Sequence, residues 1–432
     1  MVSCSPGSPA DAARDWARSG VLPLTGHSTG PPIVPAGDAA SWAGRMADHV
    51  ELATTGTRHP VRIDGARLLA ERAALTGGSR RGRLSVGGSC RLLPTLDGWA
   101  AVSSARPDDP LLWSALIGHD LDERLPQRLA AWLAAHSGAE LDERATLLSL
   151  AAGSVRALAR HADGTGNAGG TGRRAEPPRP GRPRSAEGLL VVDFSALWAG
   201  PLCAQLLGLA GADVVKVEVP SRPDGARLGN RPFYDLLHGG HRSVALDPAD
   251  PAGRTAMHAL VRRADIVVEA SRPRALAGFG LDALAEVERG CTWVSITACG
   301  RASDRVGFGD DVAAASGLLA CDGQGLPVFC GDAIADPLTG LTAAALALSE
   351  PEGGGGVLWD VAMADVVAAT VHGAAGTAPG ARVERAGTGW AVDTGTERVP
   401  VAAPVARTPL AAAPGLGADT GAVLRQLGIA AP

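Results

Sequence analysis

Aromatic side chains are scarce, with five Phe, nine Trp and one Tyr making up 3% of 432 residues, so a core has to be built from Ala, Val and Leu. Lysine occurs once, as Lys216, and arginine supplies nearly all of the positive charge, a bias that reads as coding-genome composition rather than function. The seven cysteines are odd in number and form no C-x-x-C pair, which excludes a disulfide framework and a zinc site by spacing. A net charge of -5 with no basic block speaks against nucleic acid as a partner. Apolar runs such as LWAGPLCAQLLGLAGA are interrupted by Gly, Pro or polar residues before they reach bilayer length, so no membrane partner is expected. The start MVSCSPGSPADAARDWARSG lacks a basic segment and an apolar core, which makes the cytoplasm the expected location.

The composition is otherwise globular, and the length allows two cores. Residues 162–187, ADGTGNAGGTGRRAEPPRPGRPRSAE, are Gly-rich and then Pro/Arg-rich, and read as a flexible linker. Beyond it the pattern alternates. GLLVVDFS is a buried parallel strand, AGPLCAQLLGLAGA a helix with Pro201 in its first turn, and ADVVKVEVP and HRSVALD are strands. DPADPAGRTAMHALVRRA is a helix, and DIVVEAS and CTWVSITACG are further strands. This predicts an α/β fold, a Rossmann-like doubly wound parallel sheet with a smaller second domain, whose ligands sit beyond the carboxyl ends of the strands. The first crossover, SALWAGP, contains no G-x-G-x-x-G and no P-loop motif, so neither a dinucleotide nor an ATP site is signalled there.

Two stretches are similar to each other. DWARSGVLPLTGHSTGPPIVPAGDAASWAG (15–44) parallels DVAAASGLLACDGQGLPVFCGDAIADPLTG (311–340), and HPVRIDGARLLAERAAL (59–75) parallels GGVLWDVAMADVVAATV (355–371). An imperfect internal repeat is expected. Counted back from the closing glycine, Ala40 stands where the second copy has Asp336. That aspartate, followed by Pro337 and Gly340, reads either as a helix N-cap or as an anion held at a tight turn facing a cleft.

LLVVDFSALWAGPLCAQLLGLAGADVVKVEVP, LLHGGHRSVALD, ADIVVEASRPRALAGFGLDAL, WVSITACG and GDAIADPLTGLTAAALAL, in this order, resemble the family III CoA-transferases, the group of formyl-CoA transferase, carnitine CoA-transferase and α-methylacyl-CoA racemase. CRLLPTLDGWAAVSSARPDDPLLWSALIG resembles the opening of their smaller domain, and APGLGADTGAVLRQLGI resembles their tail. The order is rearranged. Residues 1–84 read as a partial copy of the back portion of the large domain and 85–161 as small-domain-like. After the linker, 188–375 form the Rossmann-like part, and 376–432 return to the large domain.

The resemblance implies transfer of CoA between an acyl-CoA thioester and a carboxylic acid, with CoA as substrate and no permanently bound cofactor or metal. Asp336 would be the nucleophile, forming an anhydride and then an aspartyl thioester. It also implies CoA contacts from Leu197, Trp198, Gly200 and Pro201 in the first crossover, and from Ser271, Arg272 and Pro273 after a later strand. His241 stands where the family generally has lysine, and Arg242 beside it is a second phosphate candidate. Acyl-CoA epimerisation would need a second acid/base near residue 309. Gly309 occupies that position, leaving Asp310 and Asp311 beside it. A homodimer is the implied assembly, and a non-catalytic acyl-CoA-binding protein is the reading from another class.

Overall fold

The computed structural model describes residues 8–155, 177–270, 273–371 and 381–432. Its centre is a six-stranded parallel sheet in the order Val357–Ala362, Thr292–Thr297, Ile266–Glu269, Leu190–Asp193, Asp213–Glu218, Arg242–Ala245. These strands are nearly continuous in apolar residues because both faces are covered. Val191, Val214, Val268 and Val294 face one core, with the helices Ala199–Leu209 and Ala335–Ala347. Val192, Val215, Val267 and Trp293 face the other, with Pro251–Arg263 and the tail helix Thr420–Gln426. The sheet is therefore doubly wound, as the alternation predicts.

The tail closes the sheet edge. Asp419 and Thr420 accept hydrogen bonds from the backbone N–H groups of Ser243 and Ala245 at 2.8 and 3.0 Å, so the outermost strand does not present open donors there.

Residues 90–154 form a smaller unit with its own core around Trp113, Leu116, Leu133 and Leu141. Three antiparallel strands, Cys90–Pro94, Trp99–Ser103 and Ala152–Ser154, pack with the helices Asp109–Ile117, Leu125–Ala135 and Gly138–Leu148. The preceding helices belong to the large core. Trp42, on Ala39–Thr54, donates its indole N–H to Thr342 Oγ1 at 3.0 Å, and His49 Nε2 lies 3.1 Å from Ser349 Oγ.

Of the expected linker, 162–176 lie outside the described residues. Residues 177–187 differ from the expectation because their backbone finds partners at the end of the Ala335–Ala347 helix. Arg184 N–H donates to Leu348 O at 2.8 Å, and Pro183 bridges Ser349. A polar composition predicts solvation only where no such partner exists.

Candidate functional site

Asp336 is the second residue of the helix Ala335–Ala347, whose N-cap position is Ile334. Neither reading of the sequence is quite what is found. No side chain caps this helix, and the tight turn lies upstream, at Gly331 (φ 69°) and Ala333 (φ 45°). A non-glycine residue in the left-handed region costs roughly 1–3 kcal/mol and has to be held by its surroundings. Here the Ala333 N–H donates to Asp310 Oδ1 at 2.8 Å, and Ala333 O accepts from Asp336 N–H at 2.9 Å. Pro337 sits in the first helical turn, where its missing N–H costs no hydrogen bond. Gly340 is inside the helix rather than in a loop. A Cβ there would strike Ala199 O and come within 3.1 Å of Leu202 Cβ, so this glycine sets the close crossing of two helices.

The Asp336 carboxylate keeps a small exposed surface, and among the described residues no group donates a hydrogen bond to it. Burial of the rest of the side chain pushes its pKa up to about 7. Arg72 opposes the rise, and Asp310, Asp311 and Asp332 add to it. Gly309 touches it directly, since a Cβ at 309 would lie 2.5 Å from Asp336 Oδ2.

Asp310 and Asp311 open the helix Gly309–Ala315, and both are buried. Asp310 is spent on the Ala333 turn. Asp311 accepts from Ser103 Oγ at 2.8 Å and Phe308 N–H at 3.0 Å, which fastens this helix to the smaller unit. Burial, first of all, pushes them up to about 6 and about 7. Asp311 also lines a cavity of about 260 Å³ with Arg305, Cys299 and Asp365.

Two residues that sequence reasoning missed complete the cluster. Arg72, on the helix Glu71–Thr76, grips the buried Asp332 with two nitrogens, Nε to Oδ2 at 2.8 Å and Nη2 to Oδ1. Its guanidinium carbon also lies 4.8 Å from the centre of the Trp198 ring. Burial pulls the Arg72 pKa down, but the hydrogen bond and field of Asp332, then the fields of Asp310 and Asp336, raise it further, so it stays charged. Asp332 was visible in GDAIAD. No local pattern could tie it to an arginine 260 positions away.

The first crossover meets this cluster through Trp198, which is buried between Arg72 and the edge of Phe233. Leu197 is exposed and held at φ 70° by its N–H bond to Asp224 Oδ1 at 3.2 Å. Lys216 stands beneath, its Nζ 3.1 Å from Asp224 Oδ2 and 2.8 Å from Ser195 O. Gly200 and Pro201 are buried, and Gly200 is pressed against Ser195. The only lysine therefore supports the crossover from inside.

His241 and Arg242 are engaged elsewhere than on the Asp336 cluster. Residue 242 begins its strand and pairs with Val215, level with Val192 of the strand that leads into the first crossover, and His241 packs near Gly208 and His238. His241 is buried, and burial followed by the field of Lys216 pushes its pKa down to about 3, so it carries no charge for a phosphate. Arg242 is engaged by Asp213, at 3.0 Å from Nε to Oδ1, and by Gln426 at 2.7 Å. Ser271 and Arg272 lie outside the described residues, and Pro273 begins the helix Pro273–Gly278.

The model of CoA-transferase family III matches residues 187–405, half of the chain. The chain belongs to that family. Similar curated proteins include a succinate–glutarate CoA-transferase of Agrobacterium fabrum, 32% identical over 182 residues, which are 38% of this chain and 46% of that protein. A formyl-CoA:oxalate CoA-transferase of Rhodopseudomonas palustris is 32% identical over 37% of this chain and 40% of its own length. The human succinyl-CoA:glutarate CoA-transferase is 32% identical over 44% and 47%. The chain thus spans less than half the length of each. Among solved structures, a CaiB/BaiF family protein from Brucella suis aligns with a TM-score of 0.43 at 25% identity, over 49% of this chain and 66% of that one.

Proposed function

We propose that this chain transfers CoA between an acyl-CoA thioester and a carboxylic acid, with Asp336 as the acyl acceptor. The observation that carries the reading is a carboxylate at the solvent margin of a dense site with its oxygens unengaged by any described donor. Attack by an Asp336 oxygen on the thioester carbonyl breaks the C–S bond, giving a mixed anhydride and the CoA thiolate. The thiolate then attacks the aspartyl carbonyl, forming an aspartyl–CoA thioester and releasing the donor acid. The acceptor carboxylate takes the aspartyl acyl group as a new anhydride, and the thiolate finally attacks the acceptor's carbonyl, restoring Asp336. Bonds of similar energy are exchanged throughout, so the protein's task is to hold the reactants together and keep water out.

Gly309 supports transfer over epimerisation. An acid/base side chain at 309 would collide with Asp336, and the adjacent Asp310 and Asp311 are committed to backbone and hydroxyl partners. The acyl pairs in the relatives' names, succinyl-CoA with glutarate and formyl-CoA with oxalate, are the first substrates to test. Mass spectrometry of protein incubated with either acyl-CoA should find an adduct on Asp336, and Asp336→Ala should lose both the adduct and at least about 10³ of the transfer rate. Tight CoA binding with no adduct and no new thioester would instead favour a non-catalytic acyl-CoA-binding protein.

A further inference from the structure

Arg72 lies outside residues 187–405, so the family match assigns it no role. Its surroundings are unusual. Four carboxylates converge near the start of the Ala335–Ala347 helix: Asp310 and Asp311 from the helix Gly309–Ala315, Asp332 from the preceding turn, and Asp336 itself. Arg72 is the positive charge that acts most strongly on Asp336. Buried like charges that act on one another are driven to take up protons, and a protonated carboxyl is no nucleophile. A guanidinium pairing directly with Asp336 would restore the anion but occupy its oxygens. The geometry avoids both outcomes. The Arg72 fork is taken by Asp332, which is almost wholly buried, and its flat face rests on Trp198, so the cation is fixed beside Asp336 without a hydrogen bond to it.

We propose that Arg72 is the positioning residue of the acyl-accepting carboxylate: clamped between Asp332 and Trp198, it keeps Asp336 an anion with free lone pairs, so that the segment before residue 187 supplies an essential part of the site. The proposal rests on Asp336 being the acyl acceptor, and the two are separable by experiment. Carbodiimide labels only protonated carboxyls, so the pH dependence of Asp336 labelling, read by peptide mass spectrometry on the full chain, reports its ionisation without substrate. The parent protein should lose labelling through a midpoint near 7. Arg72→Gln should move that midpoint up by about one pH unit, Arg72→Lys should leave it near the parent's, and Asp332→Asn should move it down.

Opposite shifts in Arg72→Gln and Asp332→Asn would not come from loosened packing. If Arg72→Gln keeps the parent midpoint or lowers it, Arg72 is a structural arginine and the proposal falls. Should Arg72→Gln fail to fold, the double variant Arg72→Gln/Asp332→Asn, which leaves no lone buried charge, replaces it: a midpoint above that of Asp332→Asn upholds the proposal and one equal to it overturns it. An Asp336→Ala protein that still forms the acyl adduct would instead overturn the reading of Asp336 while leaving the labelling result standing.

Discussion

Asp336 illustrates what a single buried charge does to both stability and chemistry. Its folded pKa, pushed to about 7 from an ordinary 3.8, means that the folded protein binds this proton more tightly than the unfolded chain does. Stability from this group is therefore fully present below about pH 4 and falls as pH rises through about 7. Asp310 and Asp311 act in the same direction. Asp336→Asn, which cannot ionise, should be more stable than the parent at pH 8 by about 1–2 kcal/mol, with the difference fading near pH 4. Urea unfolding at the two pH values checks this, and a variant less stable at pH 8 would contradict it. Its candidacy came from the resemblance of GDAIADPLTG to the family's motif, since an aspartate before a proline at a helix start reads equally as an N-cap. Its electrostatic environment was not legible there, because three of the four side chains acting on it come from other segments.

Among elements, the helices Ala199–Leu209 and Ala335–Ala347 position the site, and their contact depends on small residues. Gly340 lets Ala199 O approach its backbone, and from Leu338 onward the rest of that helix is Ala, Leu and Thr. Gly340→Val would have to separate the helices that carry Trp198 and Asp336, at a cost of about 2–4 kcal/mol. The denaturation midpoint should fall, and transfer activity should drop by more than the loss of folded protein explains. The strands of the sheet were readable because buried parallel strands are continuous apolar runs, and LLVVD, DVVKVE and IVVE leave no other reading. Residues 177–187 were misread for the opposite reason, since their composition says nothing of the helix end that receives them. The helix Ala39–Thr54 packs on Ala335–Ala347 through Trp42 and Thr342, and a left-handed glycine, Gly37 or Gly331, precedes each of the two.

At the scale of the molecule, the segment before residue 187 is joined to the large core by buried charges as well as by apolar packing. Glu71, next to Arg72, accepts from Arg407 Nε at 2.7 Å and Nη2 at 2.9 Å, and Arg407 Nη1 reaches Gln205 at 2.8 Å. One group thereby links the helix Glu71–Thr76, the C-terminal stretch and the helix Ala199–Leu209. Glu71→Ala leaves Arg407 without its buried partner and should cost about 3–5 kcal/mol, measurable as a fall in the urea midpoint, whereas Glu71→Gln should retain part of the stability. If Glu71→Ala unfolds at the same midpoint as the parent, the two regions are joined by packing alone.

The parallel sheet and its two covered faces are written in short-range patterns of apolar residues, glycines and prolines, and the family is written in the order of its motifs. Which charges share a site depends on how the chain packs. Electrostatic interaction depends on distance in space rather than along the chain. Arg72 and Asp332 meet because the helix that carries Arg72 packs on the same core as the turn that carries Asp332, whereas His241 is shut in near Gly208 and Arg242 is taken by Asp213 and Gln426.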